Sequence, residues 1–124
     1  AAQEAIAYQC NDLLSAMARD CGQPLGALKV DGGASRDSFL MQFQADISAC
    51  PIHRPVIRET TALGAAYLAG LAVGVWRDRE EIRGLWKKDV TFTPDMAPDR
   101  RERLLKGWHR AVKRSLDWAR EDEA

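Results

Sequence analysis

The chain has 124 residues, 46% hydrophobic and 29% charged, which suits one compact domain or part of a larger one. Its 18 basic and 18 acidic residues cancel, so no global field draws it to nucleic acid or to an anionic membrane. Cys10, Cys21 and Cys50 are odd in number and lack CxxC spacing; this argues against a disulfide framework or a zinc site and for reduced thiols in a cytoplasmic protein.

Residues 2 to 19 carry Ile6, Cys10, Leu13, Leu14 and Met17 at three- and four-residue spacing, which predicts a helix with these on its buried stripe. The pattern opens without a cap, as expected of a segment from something longer, and Ala1 to Ala7 lack the basic start and apolar run of a signal peptide. Gly22 and Pro24 stop the helix. Ala27 to Val30 read as a short strand, broken by Asp31, Gly32 and Gly33. Ser35 is placed to cap a second helix with Phe39, Leu40, Phe43 and Ile47 on one face. Ile52 to Val56, flanked by Pro51 and Pro55, reads as an edge strand or extended chain.

Thr60 or Thr61 then caps an apolar run reaching Trp76, short of the ~20 apolar residues of a membrane span and read as a buried helix. Ala62, Ala66 and Gly70, four apart, form a small-residue ridge for close helix packing. Asp78 to Ile82 predict one more helical turn ended by Gly84, and Val90 to Phe92 a weak strand. A last helix is expected from Pro98 to Glu121, burying Leu104, Leu105, Trp108, Val112, Ser115 and Leu116. The class is α/β, helix-rich with few strands. Too few strands are visible to complete a sheet, which favours a part of a larger domain.

The chemistry concentrates at Leu28-Lys29-Val30-Asp31-Gly32-Gly33-Ala34 ahead of a helix. Paired glycines after a strand let backbone turn sharply and approach a ligand, and a helix N-terminus favours an anion. On these residues alone a tight strand-to-helix connection without a ligand competes with a nucleotide site, and the spacing fits neither a Walker loop nor a dinucleotide fingerprint. Asp31 is expected to shape the turn through backbone amides rather than act as a base. Glu59 with Thr60 and Thr61 reads as a helix junction rather than a magnesium site. His53 and His109 stand at spacings that suit no metal. Nothing near Cys50 would activate its thiolate. Arg100, Arg101, Arg103, Lys106, Arg110, Lys113 and Arg114 raise the rival reading of a phosphate- or nucleic-acid-binding face. Glu121, Asp122 and Glu123 follow at once and no aromatic interleaves, so a solvated helix face is preferred.

Val30-Asp31-Gly32-Gly33-Ala34, with Phe39 to Ile47 after it, resembles the C-terminal adenine-site segment of glycerol kinases, members of the FGGY carbohydrate kinases. Arg58 to Gly74 is similar to the helix that follows in that family. Gly107-Trp108, Ala111 to Arg114 and Trp118 resemble its closing helix, and Ile6 to Gln9 the helix before the strand. The resemblance implies that residues 1–124 are the C-terminal part of an actin/hexokinase-like (ribonuclease H-like) ATPase domain, one of two domains that close over ATP and a polyol. It places Gly33 and Ala34 against adenine and ribose, with Asp37 touching the adenine. It implies no catalytic and no metal-binding residue here, since the polyol pocket, the catalytic aspartate and the phosphate loops belong to portions N-terminal to this sequence. Magnesium travels with ATP.

The full-length protein is then expected to be a cytoplasmic homo-oligomer that phosphorylates glycerol or a similar polyol. The competing expectation is a non-catalytic interaction module with a basic C-terminal helix. The departure from the family is Asp37, where glycerol kinases commonly carry asparagine. An ionised carboxylate only accepts hydrogen bonds and repels a polyanion, so Asp37→Asn is expected to tighten ATP binding unless Asp37 is turned away as a helix cap.

Overall fold

A computed structural model of the protein describes residues 1–57, 59–85 and 87–117. They fall into two bodies, residues 1–94 and the segment from Asp95 onward, each described by itself.

The first body opens with helix α1, Ala2–Cys21, which begins without a side-chain cap and ends on Gly22. Gly22 takes the left-handed conformation, φ 64°, that a residue with a Cβ adopts only with strain. Strand β1, Leu28–Lys29, leads through a 3₁₀ turn, Gly33–Arg36, into helix α2, Ser38–Ser48. Strand β2, Ile52–Pro55, precedes helices α3, Thr60–Ala72, and α4, Arg79–Leu85, and strand β3, Lys88–Phe92, closes the body. The sheet order is β1-β2-β3, with β2 parallel to β1 and antiparallel to β3.

The core lies where α1 and α2 meet and where α2 covers the sheet. Ala7, Tyr8 and Asn11 bury one side of α1; Leu40, Phe43, Ala45 and Ile47 bury α2; Ile52 and Phe92 close the core from paired positions on β2 and β3. Tyr8 meets Phe43 edge-on with ring centroids 5.6 Å apart, a favoured aromatic geometry.

Several expectations are corrected here. The side of α1 that packs is centred on Ala7, Tyr8 and Asn11, whereas Ile6, Leu13 and Met17 are exposed. Small Ala7 lets α2 come close, and the larger apolar residues lie on the other side. Strand β2 is central rather than an edge. Proline is tolerated there because Pro55 stands at the strand's end, where the register with β3 shifts, and a missing N–H breaks no interior rung. The cap of α2 is Asp37, whose Oδ1 accepts from the Leu40 amide at 3.0 Å. Ser35 instead sits in the 3₁₀ turn and donates to the Gly32 carbonyl at 2.7 Å.

Helix α3 has no side-chain cap, and Thr60 bonds elsewhere. It is not a buried helix: among its residues only Gly70 is buried, and Leu68 is 71% exposed. The turn expected at Asp78 is helix α4, with Asp78 accepting from the Glu81 amide at 2.9 Å.

The second body holds helix α5, Pro98–Ser115, with proline in its first turn, where a missing amide costs nothing. Leu104, Leu105 and Trp108 are half-buried, and Val112 and Leu116 are exposed, so the expected buried face is only partly sheltered. Lys106 pairs with Glu102 at 2.8 Å. The helix expected to reach Glu121 ends at Ser115, where Leu116 turns extended (φ −67°, ψ 146°); Arg58, Trp118 and the acidic end at Glu121, Asp122 and Glu123 lie outside the described residues.

No helix among the described residues is long and apolar enough to cross a membrane.

Candidate functional site

The two glycines of the turn do different work. Gly32 has φ 77° and ψ −179°, a backbone region essentially closed to residues with a side chain. Glycine there is a conformational requirement. Gly33 has no positive φ, and a Cβ built on it would meet nothing within 4 Å. Neither backbone geometry nor packing among the described residues asks for glycine at 33. Gly33 and Ala34 are both exposed and present bare backbone on the outer side of the 3₁₀ turn, at the entry to α2.

The inner side of that turn is anchored. Ser35 is fully buried and closes the turn through its bond to Gly32. Beneath it, Arg54 on β2 is 8% exposed. Its Nη1 donates to the carbonyls of Ser35 (3.2 Å) and Arg36 (3.4 Å) and to Oγ of Ser38 (3.3 Å). Its Nε reaches Oδ2 of Asp89 on β3 at 3.3 Å, and its guanidinium carbon lies 5.2 Å from the centre of the Phe92 ring.

Asp37 uses both carboxylate oxygens within the fold: Oδ1 caps α2 and Oδ2 accepts from the Gln3 side-chain amide. The outer rim is tied to the start of α3. Thr60 donates its hydroxyl to Asp31, and Arg36 pairs with Glu59 at 3.4 Å. The partner of Asp31 is thus a hydroxyl where backbone amides were expected, and Glu59 is an ion-pair partner across the turn.

The structure therefore brings Gly33, Ala34 and Asp37 together in one turn and the helix start behind it. His53 is occupied with the Thr91 hydroxyl at 3.0 Å within the sheet. Burial pushes the Cys50 thiol up from its ordinary value, away from thiolate chemistry. Sequence reasoning missed Arg54. Its signal was present: with a period of two, Arg54 falls on the same side of β2 as Ile52, which puts a charge at an inward position. A separate concavity of about 540 Å³ lies between the end of β2, α3 and α4, walled by Val56, Ile57, Leu63, Tyr67 and Ile82. It includes none of Gly33, Ala34 or Asp37.

Residues 1–73, which contain the whole turn and its anchors through α3, match the C-terminal domain of the FGGY family of carbohydrate kinases. The chain belongs to that family. Over 119 residues it is 60% identical to a glycerol kinase of Dechloromonas aromatica, covering 96% of this chain and 24% of that protein. A glycerol kinase of Haemophilus influenzae is 58% identical over 120 residues, again covering 24% of its length. The chain thus spans about a quarter of these FGGY relatives.

Among solved structures, Plasmodium falciparum glycerol kinase with ADP superposes at a TM-score of 0.80 and 34% identity, over 92% of this chain and 23% of that one. A Lactobacillus acidophilus gluconate kinase, at 24% identity, shares the fold at a TM-score of 0.73, over 94% of this chain and 24% of its own. The fold is that of part of an actin/hexokinase-like domain, helix-rich with three strands among the described residues.

Proposed function

We propose that this FGGY segment is the C-terminal nucleotide-side part of an ATP-dependent glycerol kinase, with Gly33 and Ala34 forming the floor under adenine and ribose. The observation that carries the reading is Gly33. The fold demands Gly32 for its conformation, and nothing among the described residues demands glycine at 33, so a bare position there suits something that must come close from outside. A flat base lying on backbone is such a thing. The Plasmodium relative solved with ADP supports a nucleotide as that ligand.

In this reading the segment performs no bond-making. Phosphoryl transfer to a primary hydroxyl depends on positioning and on stabilising charge around the phosphates. This chain's contribution is to hold the base end of ATP, so that the reacting end meets groups supplied by other parts of the kinase. Asp37 would lie beside the base as the cap of α2, with its charge engaged by Leu40 and Gln3. Magnesium would arrive with the nucleotide. Among the described residues no three His, Cys, Asp or Glu side chains come together in a way that could hold a metal.

The same reading expects glycerol as acceptor, bound outside this sequence, and a cytoplasmic homo-oligomer. A stand-alone interaction module is not favoured, because the similarity runs continuously through the turn, its anchors and both flanking helices. The test is an ATP-consumption assay of the full-length protein carrying this segment against a panel of polyols and sugars. Glycerol is expected to be turned over with the highest kcat/KM; turnover of a different sugar in preference to glycerol would overturn the substrate assignment.

A further inference from the structure

We propose that Arg54 is a positioning residue for the nucleotide: it fixes the height and tilt of the Gly33–Ala34 turn from beneath. The inference rests on the reading that the nucleotide lies on that turn. A charged guanidinium taken out of water is costly unless its donors are satisfied, and here one of its nitrogens is directed at the turn and another at the neighbouring strand. One nitrogen, Nη1, faces three acceptors within 3.4 Å, namely the Ser35 and Arg36 carbonyls and the Ser38 hydroxyl. These belong to the last residues of the 3₁₀ turn and the first of α2, the joint at which bare backbone becomes helix.

The guanidinium itself cannot drift. Asp89 holds Nε from the neighbouring strand, and the Phe92 ring lies alongside. Both come from β3, which pairs directly with β2. The result is a rigid connection from the sheet to the inner side of the turn. Lysine in its place would keep the charge but lose the planar group that holds Asp89 through one nitrogen and the turn through another. The turn would then keep its fold through Gly32, Ser35 and the Asp37 cap but sit less firmly. Its bare outer side would meet the base at a shifted position, and small shifts of a positioning element are felt strongly in binding and rate.

The experiment compares Arg54→Lys with wild type in the full-length kinase, with Ala34→Leu as a companion that places bulk directly on the outer side of the turn. Arg54→Lys is expected to raise KM for ATP about tenfold, the loss associated with one charged hydrogen bond, and to leave KM for glycerol unchanged. An equal rise in both, or a fall in kcat alone, means a merely structural role and overturns the proposal. If Ala34→Leu raises KM for ATP and Arg54→Lys does not, the positioning role is overturned while the nucleotide reading stands. If Ala34→Leu leaves KM for ATP unchanged, the nucleotide reading falls and takes the inference with it. Should Arg54→Lys fail to fold, Ser38→Ala removes one acceptor without touching the buried charge. It is expected to raise KM for ATP selectively by a smaller factor, and an unmoved KM overturns the proposal.

Discussion

Gly70→Leu is expected to lower folding stability by about 1–3 kcal/mol, the usual cost of forcing volume into a filled space. Gly70 is the one buried residue of α3, and what buries it is local. After Ala72 the chain reverses through Gly74, with the Val75 amide bonding back to the Gly70 carbonyl at 2.8 Å. This reversal lays the Trp76 indole over Gly70, where a Cβ would collide with the ring carbons. Moving Trp76 aside would give up its edge-on contact with Tyr67, whose ring centroid lies 5.1 Å away, a pairing worth about 0.5–1.5 kcal/mol. Thermal or denaturant unfolding reads the loss, and a double-mutant cycle assigns it: in a Trp76→Ala background the substitution at Gly70 should cost little. An unchanged midpoint for Gly70→Leu would show that the indole does not occupy this position.

The 124-residue chain alone is expected to produce no ADP in a glycerol-dependent manner and to bind ATP only weakly. The candidate surface is one wall, open on its outer side at Gly33 and Ala34, whereas nucleotide sites bury most of their ligand between walls. The chain spans about a quarter of the glycerol kinases it resembles, and no acid–base or phosphate-holding constellation is proposed within it. A coupled assay for ADP release with purified chain and glycerol checks this. Turnover above background would mean that a catalytic group within residues 1–124 has been overlooked.

The turn and helix that carry the proposed site were legible in the sequence because they are built from local signals. A strand, two glycines, a cap-type residue and an apolar helical face occur in order between Leu28 and Ile47, and each constrains only its neighbours. The misreading of Ser35 for Asp37 as cap of α2 came from two capping residues lying close together; the 3₁₀ turn takes up Ser35 and leaves Asp37 at the helix start.

What stayed hidden depends on partners distant in sequence. Pro55 argued for an edge strand, yet β2 is central because the proline falls where the ladder shifts register, which only β3 can reveal. Arg54 gains its meaning from Asp89 and Phe92, more than thirty residues away. The helical period of α1 was right, but the packing side was set by the fit of Ala7 and Tyr8 against α2 rather than by the largest apolar residues. For α3 the sequence has an apolar surface on every side, with Leu68 71% exposed and Val73, just after the helix, 77% exposed. Such a helix calls for cover without specifying what supplies it.

The central claim is that Gly33 is bare to admit a nucleotide, and Gly33→Ala in the full-length kinase tests it most directly. A methyl group there meets nothing within 4 Å among the described residues and needs no positive φ, so the unfolding free energy should stay within about 0.5 kcal/mol of wild type, as for a surface substitution. ADP affinity, measured by calorimetric titration of the same protein, should fall, because the methyl stands where the base or ribose would rest. Loss of ADP affinity at unchanged stability is the result the account predicts; ADP binding as tight as wild type would contradict it.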